Sequence, residues 1–229
     1  MHASLSSELQ LLRVRIEAFA SGPAVIMVTS ARTGDGKSLT AWSLADSLAA
    51  AGHATVLVDA NTDAPRTTGA ALVRDLRRFP NEDIAEWARP FGPNGLSVLS
   101  MSSREVVTTS SRQTIRHLTT QLRKRFDFAI VDTGALPKNN IALLMAAAAD
   151  GVLVAVRTGR PATKEDLTLV RMLQQTNRRI LGVVLTSKET IDLFELIAKG
   201  YDKNVVALGS GGNHFSHHTS RQAMAHSAQ

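Results

Sequence analysis

Cysteine is absent from this 229-residue chain, which excludes disulfides, thiolate metal sites and cysteine nucleophiles together. That absence fits a reducing cytoplasm. Aromatic residues make up only 4 %, with two Trp and one Tyr, so the core must be built from Ala, Val, Leu and Ile; the 44 % hydrophobic content suffices for one. Long apolar runs are also missing. The longest, Ile141–Ala149, has nine residues and stops at Asp150, where a bilayer span needs ~20. The first residues are polar and include Glu8 where a secretory signal needs an apolar stretch. A soluble, cytoplasmic protein with one α/β domain is therefore expected.

Negative charge is the scarcer sign. Twenty-six Lys and Arg against 20 Asp and Glu leave a formal charge of +6, spread over several segments with local clusters at Arg74–Arg78, Arg123–Arg125 and Arg178–Arg179. No groove-reading motif and no interleaved aromatics accompany these clusters, so they read as solvated helix faces with no specific nucleic-acid motif.

Among the features present, apolar runs alternate with helical patterns along most of the chain. Leu9, Leu12 and Ile16 share one helix face within residues 5–18, with Leu11 alongside and serines ahead of Glu8 to cap it. Strands are expected at Ala24–Thr29, Ala54–Asp59, Leu96–Ser100, Phe128–Asp132, Gly151–Val156 and Ile180–Leu185. Helices are expected at Lys37–Ala51 (ending at Gly52), Gln113–Arg125, Ile141–Ala149, Thr163–Asn177 and Thr190–Lys199. Thr67–Phe79 reads as helical, and Pro80, Pro90 and Pro93 break the pattern around a short acidic helix, Glu82–Ala88. Strands this apolar suit a sheet covered on both faces, and the alternation predicts a mostly parallel, doubly wound sheet flanked by helices. Residues 1–201 form this domain. From 202 to 229 the chain turns Gly-, Ser- and His-rich and reads as a flexible tail. Its four histidines, His214, His217, His218 and His226, come without carboxylate partners and do not read as a metal site.

Chemistry concentrates between Pro23 and Ala45. The apolar run PAVIMVTS leads into ARTGDGKS and then LTAWSLA. Strand, glycine turn and Lys-Ser pair at a helix start form the arrangement that cradles phosphates, where loop N–H groups make an anion nest and the helix dipole adds to it. The motif departs from G-x-x-x-x-G-K-[ST] in having Ala31 at the first glycine, with Gly34 and Gly36 supplying the permissive backbone. Arg32, Thr33, Gly34, Asp35, Gly36, Lys37, Ser38 and Leu39 are the candidate nucleotide-binding residues. Lys37 would reach the β- and γ-phosphates and Ser38 the Mg²⁺ ion of bound ATP.

Two more apolar strands end in carboxylates: Asp59 closes ATVLVD and Asp132 closes FAIVD. Ligands in such sheets collect at the carboxyl ends of strands, where Ser30–Ser38, Asp59 and Asp132 would meet. Asp132 would orient Mg²⁺ directly or through water. Asp59 would bind a water of the ion or accept a proton from an attacking hydroxyl. Lys37, Asp59 and Asp132 are thus the candidate catalytic residues, with Ser38, Asp59 and Asp132 as candidate metal ligands.

The run SARTGDGKSLTAWSLADSLAAAGHATVLVDANTDAPR resembles the bacterial tyrosine kinases of capsule and exopolysaccharide systems, and also the deviant Walker-type ATPases of division-site selection and plasmid partition. FDFAIVDTGALPKNN, ADGVLVAVRTGRPATKEDLTLVRML and ILGVVL extend the resemblance over roughly Leu5 to Ser187. The T-G-D-G-K-S loop and the arginine-bearing helix before it favour the kinase branch. The resemblance implies a P-loop NTPase fold and an ATP–Mg²⁺ site in which Lys37, Ser38, Asp59 and Asp132 match functional positions. It further implies ring-like self-assembly and a membrane-embedded polysaccharide co-polymerase partner, which would recruit the chain to the inner face of the membrane. Arg13 and Ile16 fit the branch's N-terminal assembly helix, whereas Glu8 is displaced by one position and Gln10 replaces an arginine.

Several positions depart from the pattern. Asn61 replaces a carboxylate, Asp63 an arginine, Gly134-Ala135 a double proline, and Thr186 an asparagine that helps read adenine. The sole tyrosine, Tyr201, precedes a tail with none, where the kinases carry a tyrosine-rich acceptor tail. Loss of one preorganised charge beside a phosphoryl-transfer site costs ~3 kcal/mol of barrier. The expected function is an ATP-binding P-loop ATPase resembling the tyrosine autokinases, with weakened or lost kinase activity. A partition-type dimerising switch and a nucleotide-binding scaffold are the alternatives. Arg32 lies near the position of a lysine that crosses the dimer in the partition ATPases; it reads either as such a finger or as a solvent-facing loop residue.

Overall fold

The structure, a computed structural model, describes residues 7–61, 71–72, 83–101, 111–176 and 178–187. The elements run α1 (Ser7–Phe19), β1 (Ala24–Thr29), α2 (Lys37–Ala50), β2 (Thr55–Ala60), β3 (Ala71–Leu72), a 3₁₀ turn (Ile84–Glu86), β4 (Arg89–Phe91) and β5 (Leu96–Ser100). They continue with α3 (Arg112–Arg125), β6 (Phe128–Thr133), another 3₁₀ turn (Leu136–Lys138), α4 (Asn140–Ala148), β7 (Gly151–Arg157), α5 (Lys164–Thr176) and β8 (Arg179–Thr186). The strands form one eight-stranded sheet in the order β3-β5-β2-β6-β1-β7-β8, with β4 beside β5. Pairings along that order are parallel, and β4 runs antiparallel to β5.

Strands β1, β2 and β6 are buried on every residue and need cover on both faces, which the helices provide. Val25, Met27, Val58 and Val131 join one apolar layer with Leu118 of α3, Met145 of α4 and Leu169 of α5. Ile26, Val28, Leu57 and Ile130 join the other with Ile16 of α1 and Leu44 of α2. Each such side chain, fully buried, contributes about 1.5–3 kcal/mol relative to leaving it in water. The architecture is the mostly parallel, doubly wound sheet flanked by helices that the alternation predicts.

At the amino ends of the strands, carboxylates fasten the sheet. Asp127 Oδ2 accepts from the Ala54 N–H at 2.9 Å, and Asp150 Oδ2 accepts from the Val25 N–H at 2.8 Å. Arg123 of α3 then grips Asp150 with two 2.9 Å hydrogen bonds, so helix, strand and loop are tied at one point.

Sequence and structure differ chiefly around the small edge strands. Pro90 does not interrupt structure but sits inside β4, an edge strand of the kind that tolerates a missing N–H. The acidic helix expected at Glu82–Ala88 contracts to the 3₁₀ turn at Ile84–Glu86. Within the helix expected at Thr67–Phe79, Ala71 and Leu72 pair instead with Leu99 and Ser100, because β5 has an open edge there. The rest of that stretch, Asp63, the helix expected at Thr190–Lys199, Tyr201 and the tail at 202–229 lie outside the described residues.

Candidate functional site

The turn from β1 into α2 is shaped by two glycines in the left-handed region, Gly34 at φ 86° and Gly36 at φ 81°. Side chains rarely adopt that backbone. At Gly36 a Cβ would also lie 2.7 Å from Thr186 Cγ2, so the position is closed by space as well as by conformation. Helix α2 starts from Gly36 with no side-chain cap, whereas α3 begins with a Ser111–Thr114 capping box and α4 with Asn139 accepting from the Ala142 N–H. The first N–H groups of a helix need partners, and an anion at this turn would supply them.

Lys37 is buried at the start of α2, and its Nζ donates to the Arg32 carbonyl at 3.4 Å across the loop. Ser38 follows, half-buried, and Leu39 is buried in the helix. Thr33 and Gly34 form the exposed tip. The Ser30 hydroxyl donates to the Arg32 carbonyl at 2.6 Å and closes the turn.

Asp59 and Asp132 are direct neighbours in the parallel register of β2 and β6, and Val28 of β1 stands opposite Asp132 on the other side. Both aspartates are nearly enclosed, at 2 % and 5 % exposure. Side chains alternate along a strand, so Asp59 lies on the face of Leu57, and Asp132 on the face of Ile130. Both neighbours belong to the apolar layer beneath α2. The two carboxylates therefore share a face with the helix that begins at Lys37 and Ser38, at the carboxyl edge where β1 turns into it. Asp59 Oδ1 accepts from the Asn61 N–H at 3.1 Å. The β6–α4 turn is fixed to the same edge: the Thr29 hydroxyl donates to the Gly134 carbonyl at 3.3 Å, and Leu136 N–H to the Ser30 carbonyl at 3.2 Å.

Asp35 is the most engaged residue of the loop. Arg160, just beyond β7, grips its carboxylate with Nε–Oδ1 at 3.1 Å and Nη2–Oδ2 at 2.9 Å. Arg32 N–H donates to the same carboxylate at 3.3 Å, and the Thr186 hydroxyl to the Asp35 carbonyl at 3.0 Å. Burial pushes the Asp35 carboxyl up to about 6, against the pull of the Lys37 ammonium, with Asp166 pushing the same way as burial. The Arg32 side chain donates to the Pro161 carbonyl at 3.3 Å and lies 3.9 Å from Asp166. It is held by a neighbouring loop of its own chain, not extended into solvent.

Arg160 and Asp166 escaped the sequence reading, which took carboxylates at the ends of β2 and β6 but did not extend the strand-end rule to β7. The role of Thr186 against the loop was likewise invisible, since its partner is 151 residues away in sequence.

The donor set suits a magnesium ion bound mainly through phosphates and water: one hydroxyl and two carboxylates, all hard oxygens. Among the described residues no cluster of three His, Cys, Asp or Glu forms a metal cage of its own. No helix among them is long and apolar enough to cross a membrane.

A uncapped helix start behind positive-φ glycines, a buried lysine and strand-end aspartates in register define the P-loop nucleotide-binding class. Residues 26–213 match the CobQ/CobB/MinD/ParA nucleotide-binding domain, and the chain belongs to that family. Tyrosine-protein kinase CpsD of Streptococcus pneumoniae serotype 4 is 30 % identical over 170 residues, which cover 70 % of this chain and 74 % of CpsD. The succinoglycan biosynthesis transport protein ExoP of Rhizobium meliloti is 27 % identical; 74 % of this chain is matched, but the match spans only 23 % of ExoP. Among solved structures, the kinase domain of the Escherichia coli tyrosine kinase ETK superposes with a TM-score of 0.66 at 20 % identity, covering 79 % of this chain and 75 % of that one. Cobyrinic acid a,c-diamide synthase of Mycobacterium smegmatis, solved with ADP and magnesium, gives 0.60 at 16 % identity, covering 79 % and 83 %. At these identities the superpositions establish a shared fold.

Proposed function

We propose that the chain is an ATP-binding P-loop ATPase of the bacterial tyrosine-kinase type, acting in capsule or exopolysaccharide polymerisation and export. The observation that carries this reading is the register pair Asp59–Asp132, on the sheet face from which Lys37 and Ser38 begin α2. Loop N–H groups from Thr33 to Leu39 and the Lys37 ammonium hold the phosphates. Ser38 and Asp132, with Asp59, hold Mg²⁺, which when bound neutralises charge developing on the transferred phosphoryl group. Asp59 would otherwise take a proton from an attacking hydroxyl.

Asn61 stands where the kinases' second carboxylate falls, and Tyr201 is the only tyrosine. Phosphotransfer is accordingly slow, and nucleotide occupancy governs assembly more than product formation does. The proposal includes homo-oligomerisation and recruitment to the inner face of the membrane by a polysaccharide co-polymerase. The name of ExoP, a succinoglycan biosynthesis transport protein, supports the link to polysaccharide export, and that of CpsD, a tyrosine-protein kinase, supports the kinase type. Labelled ATP separates the activities. Mg²⁺-dependent release of phosphate that Lys37→Ala abolishes establishes the ATPase, and label on wild type but not on Tyr201→Phe establishes an autokinase. Absence of both, with no ATP binding, overturns the reading.

A further inference from the structure

Arg160 lies in the turn between β7 and α5, outside the phosphate loop. Its side chain is only 16 % exposed, and its guanidinium is shared by two carboxylates. On one side it makes the forked pair with Asp35, whose side chain is 2 % exposed. On the other it meets Asp166 in the first turn of α5, with Nη1–Oδ2 at 2.9 Å and Nη2–Oδ1 at 2.8 Å. Asp166 is itself fixed, accepting from the Thr163 N–H at 2.8 Å and the Thr163 hydroxyl at 3.0 Å. The hydrogen bonds from Arg160 hold the Asp166 carboxyl below the usual carboxylate range. Charge-assisted forked pairs of this kind fix orientation as well as adding energy.

The phosphate loop needs such an anchor. Gly34 and Gly36 leave its backbone free to adopt many conformations, and a nest of N–H groups binds an anion well only if its shape exists before the anion arrives. Asp35 stands between the two glycines, and Arg160 holds its carboxylate while Thr186 holds its carbonyl. We propose that Arg160, anchored on Asp166, is a positioning residue that preforms the phosphate loop through Asp35. Its effect on nucleotide rests on the nucleotide-binding reading above; its effect on loop order does not.

Amide hydrogen exchange on the nucleotide-free protein tests the clamp directly. Arg160→Ala speeds exchange across residues 31–37 by roughly tenfold or more, while Arg125→Ala, which breaks the surface pair with Asp83, leaves the loop unchanged. Calorimetry with Mg·ATP then shows affinity lowered by roughly tenfold in Arg160→Ala and less in Arg160→Lys. In turnover assays KM for ATP rises with little change in kcat, because the loss is one of ground-state organisation. Asp166→Asn gives a weaker version of each effect and serves if Arg160→Ala does not fold. Unchanged loop exchange in folded variants overturns the clamp, as does faster exchange with unaltered ATP affinity. Faster exchange in a protein whose wild type binds no ATP leaves the clamp standing and overturns the nucleotide reading instead.

Discussion

The two edges of the central sheet use acidic residues in opposite ways. At the amino edge, Asp127 and Asp150 accept from strand N–H groups, and Asp150 is gripped by Arg123 as well, so their charge is spent on holding the sheet together. At the carboxyl edge, Asp59 and Asp132 stand side by side in register next to the start of α2. Two adjacent carboxylates repel each other and are costly to enclose. In the proposed function this pair is where the magnesium ion of bound nucleotide would sit. Position in a parallel sheet, not residue type, separates a structural aspartate from a candidate ligand.

The largest expected effect falls on the carboxyl edge. Lys37→Ala lowers Mg·ATP affinity by about a hundredfold, ~3 kcal/mol, with little change in melting temperature. The mirror experiment is Asp150→Ala, which removes the partner of Arg123 and of the Val25 N–H. It costs about 2 kcal/mol of stability, a fall of roughly 4–8 °C in melting temperature, and leaves ATP affinity intact in the folded protein. A variant that moves both readouts equally would erase the distinction between the edges.

Gly36→Ala combines the two costs. The backbone strain at φ 81° and the approach to Thr186 predict about 1–3 kcal/mol of lost stability together with weakened nucleotide binding, read by urea midpoints and calorimetry. Asn139→Ala removes the cap of α4, whose start lies at the same edge but carries no phosphate loop. It costs about 1 kcal/mol of stability and no nucleotide affinity.

A further expected effect is a pH dependence. In the folded chain the Asp35 carboxyl lies at about 6, above its unfolded value, so folding favours its protonated form. Its contribution to stability is complete below the unfolded value, near pH 4, and is lost as pH rises through about 6. Asp35→Asn therefore flattens the stability profile between pH 4 and 6, measured by urea midpoints at each pH.

Much of this organisation is legible in the sequence. The strands β1, β2, β5, β6 and β7 are short apolar runs bounded by turn residues, and β-branched content separates them from the helices. Their ends place Lys37, Ser38, Asp59 and Asp132 at one edge by the rule for parallel sheets. The edge strands β3 and β4 are illegible because two or three residues carry no periodicity, and Pro90 argues locally against a strand. The Arg160–Asp35 clamp is illegible for a different reason: its partners are 125 residues apart, and nothing local marks an arginine after β7 as bound to a glycine turn. Local pattern gives the elements and their ends, while contacts that lock one loop against another depend on packing.

Central to the account is a triphosphate held where Gly34, Gly36 and Lys37 face the strand-end aspartates. Titration calorimetry of the full chain with ATP, with and without Mg²⁺, on wild type and Lys37→Ala tests it most directly. The account predicts Mg²⁺-enhanced binding by wild type and its near loss in the variant. Equal heats from the two proteins, or none from wild type at millimolar ATP, would contradict it.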